Sequence, residues 1–179
     1  MSAGVIAVTG ASRGIGAAIA GELVKRGFVV GSLTRGGTGG EGTVPIACDV
    51  TDESSLKSAF RILSDKAGRI DGLVNNAGIH LDGRSAELET SVFDEVMATN
   101  ARAVFVACRE AYPYLGKSGG TIVNIGSFFD KLGVKRNLAY CASKAAVGAI
   151  TRCLAVEWAA KKIRVLNVAP GYIETELNA

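Results

Sequence analysis

Tyr140 and Lys144 are a pair of residues whose types and spacing suit proton chemistry. Two side chains four residues apart on a helix lie on the same face, with their Cβ atoms about 5–6 Å apart. A tyrosine is a weak proton donor at neutral pH because its ordinary pKa is about 10, but a nearby ammonium group stabilises the phenolate. We therefore expect an acid/base centre; the alternative is a helix-start aromatic residue beside a surface lysine.

A glycine-rich turn near the N-terminus has the pattern of a phosphate-binding loop. It joins the strand-like run Val5–Val8 to a predicted helix, the context in which such a pattern is informative. Gly10 permits a tight turn, while Gly14 and Gly16 let the backbone and the helix N-terminus approach a pyrophosphate. The spacing is Gly-x-x-x-Gly-x-Gly, and a plain strand-to-helix turn is the alternative. The candidate phosphate-binding residues are Gly10, Ser12, Arg13, Gly14, Ile15 and Gly16.

The residues after the second predicted strand indicate which dinucleotide would bind. An acidic residue there would accept hydrogen bonds from the ribose 2′-hydroxyl of NAD, whereas this chain has Thr34 and Arg35. A guanidinium attracts a 2′-phosphate, and Arg13 would supply a second cation. NADP is therefore the predicted cofactor, with solvated surface arginines as the alternative.

Asp49 and Val50 follow the third predicted strand and complete the candidate cofactor residues of this region. We expect Asp49 to accept a hydrogen bond from the adenine amino group of the dinucleotide. The alternative is that its carboxylate caps the helix that follows.

Short apolar runs alternate with segments of helical periodicity along the chain. Because the runs are apolar on both faces, they predict parallel strands covered by helices on both sides. The predicted fold class is α/β, a doubly wound, Rossmann-like parallel sheet with strand order 3-2-1-4-5-6. The predicted strands are Val5–Val8, Phe28–Leu33, Val44–Cys48, Gly72–Val74, Thr121–Ile125 and Arg164–Val168. The predicted helices are Ile15–Arg26, one opening at residues 51–53, one from near Val92 to near Pro113, and Tyr140–Ala160.

The composition argues against several classes of protein. The length of 179 residues predicts one domain, residues 1–179, and 48% hydrophobic residues argue against disorder. The net charge of +3 comes without a basic run, so nucleic acid is not an expected partner. We see no signal sequence or membrane span, and we expect a soluble cytoplasmic protein. The four cysteines lack metal-ligand spacing with His80, so reduced thiols and no metal are predicted.

Several motifs, taken in order, resemble the short-chain dehydrogenase/reductase family in its single-domain branch. The resemblance runs from Val5 to Thr175, and its motifs are specific in combination. They are Thr9-Gly10-x-x-x-Gly14-x-Gly16, Asp49-Val50, Asn75-Asn76-Ala77-Gly78, Asn100, Ser127, Tyr140-x-x-x-Lys144 and Pro170-Gly171.

The resemblance implies a nicotinamide-dependent enzyme that interconverts a ketone and a secondary alcohol. Tyr140 would be the general acid/base, and Lys144 would lower the pKa of Tyr140 and hold the nicotinamide ribose. Ser127 would orient the substrate oxygen, and Asn100 would anchor a water molecule that relays protons to Lys144. The other implied cofactor contacts are Asn76, Ala77, Gly78, Pro170 and Gly171.

The resemblance also carries expectations about partners. The substrate would be a small-molecule carbonyl or alcohol. Family members often pair their long helices across an interface, which implies a homodimer or homotetramer. Small residues available for this are Ala101, Ala103, Ala145, Ala146 and Ala149. A non-catalytic nucleotide-binding sensor or scaffold of the same fold is the alternative function.

Two features depart from the family's pattern. Where members carry a helix between the second and third strands, this chain has only the glycine-rich segment Gly36–Thr43. Members also continue past Pro170-Gly171 with a substrate loop, further helices and a seventh strand, so we expect these C-terminal elements to be missing. His80, which closely follows the Asn-Asn-Ala-Gly motif, is expected to be a solvated loop histidine, with substrate contact as the alternative.

Overall fold

A computed structural model describes residues 3–116 and 118–173 of the chain. In this part of the chain, six parallel strands form a sheet in the order β3-β2-β1-β4-β5-β6, which confirms the predicted fold class and strand order. The strands are β1 (Val5–Thr9), β2 (Val29–Thr34), β3 (Val44–Ala47), β4 (Gly72–Asn75), β5 (Gly120–Ile125) and β6 (Ile163–Val168). Thr175, where the family resemblance ends, lies outside the described residues.

The α-helices lie where the apolar periodicity predicts them. They are α1 (Gly14–Lys25), α2 (Glu53–Ala67), α3 (Thr90–Met97), α4 (Ala103–Leu115) and α5 (Leu138–Trp158). The start of α2 shows the local cause: the Asp52 carboxylate accepts a hydrogen bond from the Ser54 N–H at 2.9 Å, which satisfies an otherwise unpaired donor. Gly68 ends the helix at φ +78°, a left-handed conformation that favours glycine.

The third predicted helix is interrupted in the structure. A π-helical segment, Ala98–Arg102, separates α3 from α4 and contains Asn100. Such a segment alters the hydrogen-bond register of a helix and occurs frequently at functional sites. The periodicity predicted one regular helix because one irregular turn barely disturbs the apolar stripe. The helix also runs two residues past Pro113, to Leu115.

The two faces of the sheet are covered unequally. One face buries a large apolar cluster with residues from α2, α4 and α5, including the predicted stripe Leu56, Phe60 and Leu63. The other face packs against residues of α1. On that face Leu166 and Val168 of β6 stay about half exposed, at 49% and 48%.

The segment between β2 and β3 forms turns and bends rather than a helix, as its glycine content predicts. The Thr34 hydroxyl donates to the Thr38 carbonyl at 2.8 Å and accepts from the Thr38 N–H at 2.9 Å. Further along, Gly42 adopts φ +76° close to Val24 of α1. These contacts hold a short crossover against the face that α1 covers.

Among the described residues, no helix is both long and apolar enough to cross a membrane. The same part of the chain contains no cluster of side chains suited to a metal ion. The four cysteines are free thiols, two of them buried.

A buried polar ladder ties α5 to the middle of the sheet. Asn75 and Asn124 are register partners on β4 and β5, and the Asn75 amide donates to the Asn124 side-chain oxygen at 2.9 Å. The Asn124 amide donates to the Thr151 hydroxyl at 2.9 Å, and that hydroxyl donates to the Val147 carbonyl at 2.8 Å. The ladder therefore fixes how α5, which carries Tyr140 and Lys144, sits over β5.

Replacing Thr151 with valine tests the ladder. Valine has nearly the same shape as threonine but cannot accept a hydrogen bond from the Asn124 amide. We therefore expect Thr151→Val to lower the free energy of unfolding by about 1–3 kcal/mol. Urea denaturation measures this change. Thr90→Val is the control, because Thr90 is exposed; a loss no larger than that of the control would contradict the role of the ladder.

Candidate active site

A cavity of about 710 Å³ opens at the carboxyl ends of the strands, a volume typical of a site for a small ligand. In open parallel sheets ligands bind at this edge. The cavity is lined by most of the predicted site residues: Gly10, Ser12, Arg13, Gly14, Ile15, Thr34, Arg35, Asp49, Val50, Asn76, Ala77, Gly78, Ser127, Tyr140, Lys144, Pro170 and Gly171. Two predicted residues, Gly16 and Asn100, do not line it.

The glycine turn presents a helix N-terminus to the cavity. Gly10 adopts φ +66°, and a Cβ there would lie 2.9 Å from the Ala77 Cα, so only glycine fits. The N-cap residue of α1 is Arg13, its side chain makes no capping hydrogen bond, and the first turn contains no acidic residue. Backbone N–H groups at such a helix start attract anions. The turn is therefore suited to a phosphate group.

Gly16 has a different role from the one predicted. A Cβ at this position would collide with the Gly10 carbonyl and with the Asn76 side-chain amide. That amide donates to the Thr9 and Gly10 carbonyls, at 3.1 Å in each case. Gly16 thus lets α1 pack against the turn from behind, and its contribution to ligand binding is indirect.

Thr34 lines the cavity, but its hydroxyl proton is already committed to the Thr38 carbonyl. A serine or threonine hydroxyl has one proton to donate. The expectation that a neutral Thr34 and Arg35 suit a 2′-phosphate stays a prediction, but in this conformation the Thr34 hydroxyl proton is not available to such a phosphate. The hydroxyl proton of Thr34 is used in a hydrogen bond within the loop between β2 and β3. Local sequence does not predict this interaction.

Asp49 and Arg35 share the part of the cavity that follows β2 and β3. The Asp49 carboxylate accepts from the Thr51 hydroxyl at 2.7 Å and from the Thr51 N–H at 2.9 Å. These bonds hold the pKa of Asp49 below its ordinary value, and the positive charge of Arg35 acts in the same direction. Asp52 is the N-cap of α2, so the alternative in which Asp49 caps this helix is wrong.

Ser127 and Tyr140 line the cavity together, and the Ser127 side chain is near enough to the phenol to influence its pKa. Ser127 is the N-cap of a short 3₁₀-helix, Phe128–Asp130, and its oxygen accepts from the Phe129 N–H at 3.2 Å. Because that oxygen accepts from the backbone, the orientation of the Ser127 hydroxyl is set by the fold. Burial raises the pKa of Tyr140, and the Ser127 side chain opposes this shift.

Lys144 is buried, with 6% of its surface exposed. Its ammonium group donates to the Ile125 carbonyl at 2.8 Å and lies 5.5 Å from the centre of the Tyr140 ring. Burial lowers the pKa of Lys144 to about 8. Its predicted effect on the pKa of Tyr140 does not appear here, since burial of the phenol dominates and the ammonium group is directed to the Ile125 carbonyl.

Asn100 supports the cavity from behind. Its side-chain oxygen accepts from the Ile79 N–H at 2.8 Å, and its amide donates to the Ile79 carbonyl at 2.9 Å and to the Ser143 hydroxyl at 3.1 Å. Both amide hydrogens are thereby used within the protein, and the side-chain oxygen already accepts one bond. The carboxamide therefore has no donor left for a ligand or a water molecule.

His80 lies in a loop, as expected, but it is half-buried and makes defined contacts. Its ring lies 4.6 Å, centre to centre, from the ring of Tyr140, and its Nε2 contacts the Asn137 side-chain oxygen. The sequence did not predict these contacts, because the partners of His80 lie about sixty residues further along the chain. Sequence reasoning also missed Ile79, Glu95 and Thr99, which line the cavity; the positions of Ile79 and Thr99 next to two quoted motifs were the available signal.

The sequence of this chain is similar to those of several named proteins. The family model described as short chain dehydrogenase matches residues 4–179. The 3-oxoacyl-(acyl-carrier-protein) reductase of Vibrio harveyi is 37% identical over 179 residues, which are 95% of this chain and 73% of that protein. The L-fucose dehydrogenase of Oryctolagus cuniculus is 36% identical over 181 residues, which are 97% of this chain and 64% of that protein.

Among solved structures, the 3-ketoacyl-(acyl-carrier-protein) reductase of Brucella melitensis, complexed with NADH, superposes with a TM-score of 0.93 and 30% identity. The match covers 98% of this chain and 78% of that chain. The chain therefore spans between about two thirds and three quarters of the length of these relatives.

The buried ammonium group predicts a pH-dependent stability. The pKa of Lys144 falls from 10.5 to about 8 on folding, so between these values the unfolded chain binds the additional proton. This contribution to stability therefore rises with pH, by about 2 kcal/mol between about pH 7.5 and 9.5. Lys144→Met should lose this rise.

The measurement is urea denaturation of wild type and variant at about pH 7.5 and 9.5. The difference between the two proteins in how the free energy of unfolding changes with pH gives the contribution of Lys144. Cys48 and Cys108 act in the opposite direction, since burial raises their pKa values to about 11 and about 12. Lys57→Met is the control, because Lys57 is exposed. If Lys144→Met kept the wild-type pH dependence, the ammonium group would not be buried.

Proposed function

Because the chain belongs to the short-chain dehydrogenase family of oxidoreductases, we propose that it interconverts a ketone and a secondary alcohol with NADP(H) as cofactor and Tyr140 as general acid/base. One observation carries the proposal: Ser127, Tyr140 and Lys144 line the same cavity as the glycine turn and Arg35. Acid/base groups and an anion-binding helix start in one cavity suit a reaction on a substrate held beside a dinucleotide.

The residues of the cavity fit a nicotinamide dinucleotide. The uncapped start of α1 would hold the pyrophosphate, and Arg35 would attract the 2′-phosphate. Asn76, Ala77 and Gly78 would line the cofactor, and Pro170 and Gly171 would cover its nicotinamide end. The bound cofactor supplies the hydride, while the protein supplies position and a proton.

Tyr140 is suited to give that proton in the direction of reduction. Its raised pKa keeps the phenol protonated at neutral pH, and the ketone oxygen gains negative charge as the carbonyl is reduced. Ser127, whose oxygen accepts from the Phe129 N–H, would stabilise the same oxygen with a hydrogen bond. In the direction of oxidation Tyr140 would accept the proton.

Lys144 would return a proton to Tyr140 after the phenol has given one to the substrate, and it would hold the nicotinamide ribose. An amine with a pKa of about 8 is mostly charged at neutral pH and still exchanges its proton readily. A water molecule on the Asn100 backbone carbonyl would then relay protons to it. The proposal places the water on the backbone carbonyl, because both hydrogens of the Asn100 side-chain amide are already donated within the protein.

The names of the relatives indicate different classes of substrate. The Vibrio protein is a 3-oxoacyl-(acyl-carrier-protein) reductase by name, and the Oryctolagus protein is an L-fucose dehydrogenase by name. We propose a 3-oxoacyl thioester or a small cyclic or hydroxylated ketone, and a cytoplasmic location.

A homodimer or homotetramer stays part of the proposal. Of the small residues considered for an interface, Ala145 and Ala149 of α5 are exposed. Ala101 and Ala103 are each 4% exposed, so they pack within the chain and are not available to a partner. The proposed interface therefore uses α5.

The role of Tyr140 is tested by Tyr140→Phe. Removing the phenolic oxygen removes the proton donor, so we expect kcat for NADPH-dependent reduction of a carbonyl panel to fall about 10²–10⁴-fold, with NADPH affinity retained. Tyr112→Phe is the control, because Tyr112 packs against Trp158 at 4.9 Å and does not line the cavity. Equal rates for wild type and Tyr140→Phe would reject Tyr140, and NADPH binding without turnover of any carbonyl would favour the sensor.

Cofactor choice is tested by Arg35→Ala. Losing a guanidinium that faces the 2′-phosphate should weaken NADPH binding about 10-fold or more and leave NADH binding within about twofold. Fluorescence titration with both cofactors measures the ratio. Arg26→Ala is matched in charge and lies in an exposed ion pair with Glu22. If Arg35→Ala kept the wild-type ratio of NADPH to NADH affinity, Arg35 would not bind the 2′-phosphate.

A further inference from the structure

The loop after β4 is fastened to the segment that precedes α5. The Gly83 N–H donates to the Arg136 carbonyl at 2.8 Å, and the Arg136 guanidinium donates to the Asp82 carboxylate at 2.9 Å. His80 contacts Asn137. Arg136 adopts φ +68°, a left-handed conformation that a non-glycine residue rarely takes. The two segments therefore hold each other in a defined conformation beside the start of α5.

Asn137 is at the N-cap of α5, but its side chain does not cap the helix. At this position an asparagine side chain normally accepts from a backbone N–H of the first turn, yet no such bond forms. Its amide donates to the Lys135 carbonyl at 2.9 Å, so its oxygen remains as the acceptor for His80. Nε2 of His80 therefore carries the proton in this contact.

The imidazole so held lies against Tyr140. The two rings are 4.6 Å apart at an angle of 49°, and Phe129 approaches the same tyrosine edge-on at 5.8 Å and 86°. Both geometries are those of favourable aromatic pairs. The phenol ring is thus restrained by two neighbours on the side of the cavity that Ser127 also lines.

We propose that His80 is a positioning residue for Tyr140, anchored by Asn137 at the start of α5. The inference rests on the proposed function, in which Tyr140 carries the proton. A phenol held in one orientation spends more of its time within reach of the substrate oxygen, and small losses of orientation lower the rate of a proton transfer. His80 itself does not line the cavity, so its effect is transmitted through the tyrosine ring.

Steady-state kinetics of variants tests the proposal. His80→Ala and Asn137→Ala should each lower kcat about 10-fold, leave the Kd for NADPH within about twofold, and show no additional loss when combined. His80→Phe keeps a ring against Tyr140 and should recover most of kcat. Arg84→Ala is the control in the same loop, since Arg84 is exposed in a weak pair with Glu87. A His80→Ala variant with wild-type kcat, or additive losses in the double variant, would overturn the proposal.

A second readout does not need turnover. In protein with isotope-labelled tyrosine rings, Tyr140 is the resonance that disappears in Tyr140→Phe. His80→Ala should shift this resonance and lower the pKa of Tyr140 towards its ordinary value, because water gains access to the ring. An unchanged resonance overturns the positioning role whatever the activity. If the resonance shifts but the wild type reduces no carbonyl, the positioning role stands and the proposed function fails.

Discussion

The hydrogen bond from the Lys144 ammonium group to the Ile125 carbonyl, made in a buried environment, is the interaction on which the site depends. Taking an ammonium group out of water is costly unless it finds a partner. The last carbonyl of β5 provides that partner, and it joins α5 to the edge of the sheet where the cavity opens. Tyr140 lies one turn earlier on the same helix. The hydrogen bond between Lys144 and the Ile125 carbonyl therefore also helps to position the Tyr140 phenol in the cavity beside Ser127.

The same constraint explains why burial dominates the chemistry of the site. Burial raises the pKa of Tyr140 and lowers that of Lys144, so both groups are pushed towards their neutral forms. A neutral phenol is the form that donates a proton, and a lysine near its pKa exchanges one easily. Burial therefore keeps the phenol of Tyr140 protonated and brings the pKa of Lys144 to about 8, at a cost in stability.

Much of the fold was predictable from the sequence, because strands buried on both faces are apolar throughout and leave a clear pattern. The strand order and the residues around the cavity followed from the same pattern and from the motifs. The less accurate predictions concern contacts between distant segments. Gly16 packs behind the turn because Asn76, which directly follows β4, reaches it. The Thr34 hydroxyl donates to Thr38 in a loop whose path local sequence does not predict. His80 finds Asn137 fifty-seven positions away.

The most direct test of this account is the titration of the Lys144 amine by NMR, with the resonance assigned by its loss in Lys144→Met. We expect this amine to be half-protonated near pH 8, well below the ordinary lysine pKa of about 10.4. If Lys144 titrated near that ordinary pKa, the ammonium group would lie in water. The arrangement of Lys144, Tyr140 and Ser127 described here would then be contradicted.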